Sequence, residues 1–143
     1  MRVVVDTNVL VSGLLWGGPP NQILKWVRDG RFQILACRQT AAELERVLQY
    51  PRFSRRLSGI QVTAQEVIAY YMNMVYFVPD VEKIPEVIRD DRFDNIFLAL
   101  ADKHHATLII SGDQHLLKLK QYHSIQIVTP AEATQVIDKL QGK

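Results

Sequence analysis

The feature that most constrains this chain is a stretch near its amino terminus, where three valines run into a carboxylate, a hydroxyl and a carboxamide, Val3 to Asn8. Consecutive valines predict a strand that is buried on both faces, as in a parallel sheet. In an open parallel sheet, ligands bind in the crevice at the carboxyl ends of strands whose connections leave toward opposite faces. Asp6 is therefore expected at the edge of the sheet that carries a functional site.

A second strand end of the same kind comes late in the chain. The apolar run from Thr107 to Ile110 is followed by Ser111, Gly112 and Asp113. If this strand lies beside the first, Asp6 and Asp113 meet at one edge of the sheet, and our working hypothesis is that they share a divalent metal.

The order of apolar patterns along the chain predicts the fold class. Strands are expected at residues 2–5, 32–36, 76–78, 107–110 and 125–128. Helices are expected at residues 9–15, 20–27, 40–49, 63–75, 94–101, 114–119 and 130–140, with a short helix or loop at 52–57 and a polar connection at 80–92. Alternating strands and helices predict a single α/β domain over residues 1–143, a three-layer α/β/α structure with a parallel sheet of about five strands.

Composition narrows the class of protein. The chain has 143 residues, 48% hydrophobic and 22% charged, as in an ordinary globular domain. Its net charge of +2 permits a nucleic-acid partner without demanding one. The single cysteine, Cys37, excludes an internal disulfide and a cysteine zinc cluster. We find no apolar run of transmembrane length and no signal peptide, and we expect a cytoplasmic protein without a membrane partner.

Three aspartates are candidates for one site, and each has a simpler interpretation. Asp6, Asp94 and Asp113 could each serve only as a residue that caps or opens a helix. Together at one edge they would repel, because two like charges about 4 Å apart cost about 4 kcal/mol at an effective dielectric near 20. There are three possibilities: the carboxylates bind protons, they bind a cation, or they do not lie together. Oxygen ligands without His or Cys favour Mg²⁺ or Mn²⁺.

A fourth acid is expected from the helix at 40–49, but its spacing leaves two candidates. Glu43 and Glu45 flank the apolar face of this helix on opposite sides, so either could reach the edge of the sheet. The simpler interpretation of either residue is a solvated glutamate that pairs with a basic neighbour such as Arg46.

Four motifs in register resemble a known family. They are the strand that ends in Asp6-Thr7-Asn8, Glu43-Leu44-x-x-Val47-Leu48, Asp91-x-x-Asp94-Asn95-x-Phe97-Leu98, and Ser111-Gly112-Asp113. In order and spacing, over essentially the whole chain, they resemble the PIN-domain ribonucleases. The chain is similar in particular to the small single-domain (VapC-like) toxins of toxin–antitoxin pairs.

The resemblance implies metal-dependent hydrolysis of RNA phosphodiester bonds, with Mg²⁺ or Mn²⁺ as cofactor. It implies four catalytic acids, Asp6, Glu43, Asp94 and Asp113, of which Asp6, Asp94 and Asp113 hold metal, and it favours Glu43 over Glu45. It implies supporting roles for Thr7, Asn8, Asp91, Asn95 and Ser111, an antitoxin partner and a homodimer. The chain departs from familiar members because Gln114-His115-Leu116 follows Asp113 in place of an Asp-Arg-Asp type ending.

Basic and imidazole side chains have two interpretations each. A set of five could line an RNA groove or form a solvated basic face: Arg52, Arg55, Arg56, Lys118 and Lys120. His104 and His105 could be ligands or bases, but their place near the carboxyl end of a helix favours helix termination.

The alternative function is a non-catalytic PIN fold that binds RNA or a partner protein without turnover. Other parallel-sheet proteins fit less well. An aspartate-nucleophile phosphatase needs Asp-x-Asp where this chain has Asp6-Thr7-Asn8, a phospho-acceptor receiver needs a lysine after the last strand, and dinucleotide binding needs a Gly-x-Gly-x-x-Gly turn.

Overall fold

A computed structural model describes residues 1–89 and 91–141. Position 90, inside the predicted polar connection, lies outside the described residues, as do positions 142 and 143. The strands are β1 (Arg2–Val5), β2 (Gln33–Ala36), β3 (Tyr76–Phe77), β4 (Leu108–Ile110), β5 (Gln121–Tyr122) and β6 (Ile125–Val128). The helices are α1 (Thr7–Leu15), α2 (Pro19–Arg28), α3 (Arg38–Val47), α4 (Pro51–Gly59), α5 (Ala64–Met74), α6 (Arg92–Lys103), α7 (Gln114–Leu117) and α8 (Pro130–Leu140).

The strands form one sheet in the order β3-β2-β1-β4-β6-β5. All pairings are parallel except that of β5 with β6, which is antiparallel. The described residues thus form six strands where about five were predicted, because Gln121 and Tyr122 add a short edge strand. The predicted α/β fold with a mostly parallel sheet is confirmed.

The first strand is central and buried on both faces, as its three valines predict. Val3 and Val5 pack into a core with residues of α1, α2, α3 and α8, whereas Val4 packs into a second core with α6. Alternate side chains of a strand point to opposite faces, so the two cores lie on the two sides of the sheet. The three-layer α/β/α arrangement follows.

The connections after β1 and β4 leave toward opposite faces of the sheet. Val9, Leu10 and Val11 of α1 belong to the first core, and Leu116 of α7 belongs to the second. The strands themselves are neighbours, with Val5 opposite Ile110. A crevice therefore opens between the carboxyl ends of β1 and β4, as expected at such a switch point.

Several helix bounds differ from the predictions in ways that local chemistry explains. Helix α1 begins at Thr7 because Asp6 caps it, and α6 begins at Arg92 because Asp91 caps it. Residues 52–57, left as helix or loop, belong to α4, which begins with Pro51 in the first turn. His104 caps the carboxyl end of α6 and His105 follows with a positive φ of 56°, as predicted for helix termination.

No helix within residues 1–89 or 91–141 has both the length and the apolar surface needed to cross a bilayer.

Candidate metal centre

The ends of β1 and β4 bring Asp6 and Asp113 to one edge of the sheet. The backbone N–H of Asp6 donates to the carbonyl of Ile110 at 3.0 Å. The hydroxyl of Ser111 donates to Asp6 Oδ2, and Ser111 Oγ accepts the backbone N–H of Asp113 at 2.9 Å. The buried Ser111 thus ties the two strand ends together and orients the Asp6 carboxylate.

The first turn of α6 adds a third acid to the same edge. Asp91 Oδ1 accepts the backbone N–H of Asp94 at 3.0 Å, which fixes the start of the helix. Asp94 is only 5% exposed. A carboxylate oxygen of Asp94, one of Asp113 and a ring nitrogen of His115 all lie within 4.8 Å of one another.

Of the two candidate glutamates of helix α3, Glu43 is the one that lines the cleft. Glu43 is 8% exposed and lines the cleft with the other acids, whereas Glu45 is exposed to solvent. Arg46 donates from Nε to Glu43 Oε1 at 2.7 Å and from Nη1 to the Tyr50 hydroxyl at 2.8 Å. The predicted pairing of Glu43 with Arg46 therefore also occurs, at the wall of the cleft.

One open cleft of about 330 Å³ contains all four predicted acids. Its lining residues are Asp6, Thr7, Asn8, Glu43, Arg46, Val47, Tyr50, Asp91, Arg92, Phe93, Asp94, Phe97 and Asp113. The supporting residues Thr7, Asn8 and Asp91 thus also lie there. Asn95 has a different place, because its side chain is hydrogen-bonded to both the N–H and the carbonyl of Ile88, each at 2.8 Å.

Crowding of the carboxylates perturbs their protonation. Burial, with the charges of Asp91 and Asp113 next, raises the pKa of Asp94 to about 8. Burial also raises the pKa of Asp6, opposed by the hydrogen bond from Ser111 and assisted by the charge of Asp113. Both shifts mean that this edge of the sheet disfavours additional negative charge.

The same crowding suits a cation. Among the described residues none donates a hydrogen bond to Asp94 Oδ2, a buried atom. A buried carboxylate oxygen without a donor is costly unless it is protonated or bound to a positive ion. The donor set of clustered carboxylate oxygens therefore fits a divalent cation.

Two of these acids, Asp6 and Asp113, also line a second cleft. It is lined by Asp6, Asn8, Val9, Ser12, Pro20, Arg52, Gly112, Asp113 and Pro130. Of the five basic residues predicted to contact RNA, Arg52 lines this cleft. Arg55, Lys118 and Lys120 are exposed, while the guanidinium of Arg56 donates twice to the carbonyl of Leu15, at 3.0 and 2.9 Å.

Four polar residues at the site were not predicted to belong to it, although Arg46 was named as a partner of the glutamate. Arg46, Tyr50 and Arg92 line the first cleft, and His115 approaches Asp94 and Asp113. Arg46 had a signal, because it lies three residues after Glu43 and so shares its helix face. A lone histidine in a short helix carries no comparable signal, so only the folded arrangement reveals His115.

Comparisons with known proteins identify a family. A family model described as PIN domain matches residues 2–115. Among solved structures, the PIN domain of human SMG5 is similar, with a TM-score of 0.49 and 15% identity, covering 94% of this chain and 97% of that chain. No curated protein sequence matches the chain. Since the family model spans most of its length, the chain belongs to the PIN-domain family, whose members typically are metal-dependent nucleases.

Proposed function

We propose that this protein is a metal-dependent endoribonuclease that hydrolyses RNA phosphodiester bonds. The observation that carries the proposal is the convergence of Asp6, Glu43, Asp94 and Asp113 on one cleft, where no donor within residues 1–89 and 91–141 reaches a buried oxygen of Asp94. Family membership supports it, because PIN domains typically are nucleases of this kind.

Asp6, Asp94 and Asp113 would hold the ion, with Glu43 as a further ligand or as the group that positions the attacking water. Their oxygen donors favour Mg²⁺ or Mn²⁺. A divalent ion held by these residues would lower the pKa of water and would stabilise negative charge on the reacting phosphate.

The chain's own residues have distinct tasks around these acids. Ser111 holds the Asp6 carboxylate through its hydroxyl, and Asp91 fixes the first turn that carries Asp94. Thr7 and Asn8 offer polar groups at the floor of the cleft. Arg46 and Arg92 line the first cleft and Arg52 lines the second, so each cleft offers a cation that could neutralise a phosphate.

The toxin role in a toxin–antitoxin pair, an antitoxin partner and a homodimer rest on the family resemblance alone. We propose all three on that ground. Arg55, Arg56, Lys118 and Lys120 stay predictions as RNA contacts.

The Asp6→Asn variant tests the proposal. Asparagine is as good a helix cap as aspartate, so it can accept the backbone N–H of Val9 as Asp6 Oδ1 does at 2.9 Å. The charge, however, is lost. We expect cleavage of single-stranded RNA in Mg²⁺ or Mn²⁺ to fall by about 100-fold or more, with the circular dichroism spectrum and the denaturation midpoint close to those of the parent.

A chelator provides the matched control, since it should abolish cleavage by the parent and leave the residual rate of the variant unchanged. Parent-like cleavage by Asp6→Asn would contradict the assignment of Asp6. Parent cleavage that persists in the chelator would contradict metal dependence itself.

One observation favours a second candidate, a PIN fold that binds RNA or a protein without turnover. Glu43 already has a cationic partner in Arg46, with Nη2 2.6 Å from its Oε1, as a structural glutamate would. This candidate predicts RNA binding without products and weak or absent binding of divalent ions. Calorimetric titration with Mn²⁺ separates the two functions.

A further inference from the structure

His115 stands beside the acids of the cleft and is held there by the backbone. It lies in the first turn of α7, and its backbone N–H donates to Asp113 Oδ1 at 2.7 Å. Its ring nitrogen Nδ1 lies 3.6 Å from the same oxygen. The imidazole is 66% exposed, so its ring is free to rotate.

The distances suit a shared ion. Metal bonds of about 2.1 Å place the ligand atoms of one ion about 3 to 4 Å apart. The carboxylates of Asp94 and Asp113 and the ring of His115 offer atoms within 4.8 Å of one another. A small rotation of the exposed imidazole closes the set.

An independent observation points to a ligand at this place. Asp94 Oδ2 is buried, and no donor among the described residues reaches it. Asp94 is only 5% exposed, so solvent water cannot readily donate the hydrogen bond that Asp94 Oδ2 does not receive from the protein. The group is thus more than a surface cluster of acids.

We propose that His115 is a nitrogen ligand of the metal centre and biases it toward Mn²⁺ and later first-row transition ions over Mg²⁺. The inference rests on the proposed function and deepens it by naming the ion class. Imidazole is a ligand of transition ions, whereas Mg²⁺ is bound almost entirely by oxygen. A site made only of carboxylates has a weaker preference of this kind.

The test is a calorimetric titration of the full chain with Co²⁺ and, separately, with Mg²⁺. The measured quantity is the ratio of the two affinities. We expect His115→Asn to lower the affinity for Co²⁺ by about tenfold or more while the affinity for Mg²⁺ changes by less than about threefold. His115→Asp, which restores an oxygen ligand, should lower the ratio further by strengthening Mg²⁺ binding.

His123→Asn is the matched control. His123 lies in the turn before the amino end of β6 and pairs with Asp102 near the end of α6. The acids lie at the carboxyl ends of the parallel strands β1 and β4, so replacement of His123 should leave the ratio unchanged. An unchanged ratio in His115→Asn, or an equal loss for both ions, would overturn the proposal.

A spectroscopic readout keeps the result independent of affinity. Electron spin-echo spectra of the Mn²⁺-loaded parent should show coupling to a directly bound imidazole nitrogen, which His115→Asn should abolish and His123→Asn should retain. If the parent binds no divalent ion, both the proposed function and this inference fail. If the parent binds metal and cuts RNA without nitrogen coupling, only the inference fails.

Discussion

At the residue scale, the carboxyl group of Asp94 has a pKa far above that of an ordinary aspartate. Its carboxyl group is buried, faces Asp91 and Asp113, and has a pKa raised to about 8. An unfolded aspartate has a pKa of about 3.9. Between these values the folded protein binds a proton that the unfolded chain has released, so the free energy of unfolding falls as pH rises through this window.

Replacing Asp94 should remove its share of this pH dependence. In a chelator, we expect Asp94→Asn to have a higher free energy of unfolding than the parent at pH 8, by at least about 1 kcal/mol. The gap should narrow as pH falls and close near about pH 4. Urea denaturation at a series of pH values measures it, and a constant gap at every pH would contradict the titration of Asp94 as its cause.

Divalent ions should reverse the order of stability, so that the parent has a higher free energy of unfolding than Asp94→Asn. An ion that binds only the folded state raises its stability with concentration. Added Mn²⁺ should therefore stabilise the parent and have little effect on Asp94→Asn.

Glu43 and Glu45 form a matched pair for a second prediction. Glu43→Gln should reduce RNA cleavage by about 100-fold or more, because Gln cannot hold a metal or polarise a water as a carboxylate does. Glu45→Gln should cleave like the parent, since Glu45 is exposed. Single-turnover rates of both variants decide the matter, and a loss confined to Glu45→Gln would reverse the assignment.

The residue scale also shows where sequence reasoning stops. The strand ends predicted that Asp6 and Asp113 meet, because valine runs and switch points follow general rules. Helical spacing could not choose Glu43 over Glu45, since either flank of α3 fits a 100° period. His115 was missed because its significance depends on the distance to Asp94, which no local pattern encodes.

At the scale of elements, one residue at the start of α6, Asp91, has two roles. Asp91 caps the helix through its side chain and places a negative charge beside Asp94. We expect Asp91→Ala to lower the free energy of unfolding by about 1 kcal/mol through loss of the cap. Asp91→Asn should keep the cap and the stability.

Both variants should lower the pKa of Asp94, because each removes the neighbouring charge. Carboxyl chemical shifts in an NMR titration measure this pKa, and urea denaturation measures the stability. If the Asn variant were as unstable as the Ala variant, the charge rather than the cap would be what Asp91 contributes to folding.

Elements with strong local patterns were predictable, and short ones were not. The valines of β1 and the capping residues of α5 and α8 specify those elements locally. Strand β5 has two residues and forms through pairing of Gln121 and Tyr122 with β6. Such a strand depends on tertiary contacts, so periodicity over a few residues cannot reveal it.

At the scale of the molecule, Asp6 and Asp113 line two clefts, and each cleft is also lined by at least one arginine. Arg52 is expected to contact an RNA phosphate. Arg52→Ala should weaken binding and reduce the slope of log affinity against log salt by about 0.7, the value for one phosphate contact on a single strand. The affinities are measured in the Asp6→Asn background, so that RNA stays intact.

Arg56→Ala is the contrasting variant for this measurement. Its guanidinium is bound to the carbonyl of Leu15, so its loss should lower stability more than it lowers the salt slope. If Arg56→Ala reduced the slope as much as Arg52→Ala does, the result would contradict the proposal that RNA binds specifically along the second cleft.

Three of the acids at this edge also begin helices: Asp6 for α1, Asp91 for α6 and Asp113 for α7. An alanine scan would consequently mix two kinds of damage, a frayed helix and a missing charge, and would overstate how many side chains take part in the chemistry. Asparagine scanning separates them. A homologue with Asn at these positions would retain the helix caps and the fold without the charges that catalysis needs.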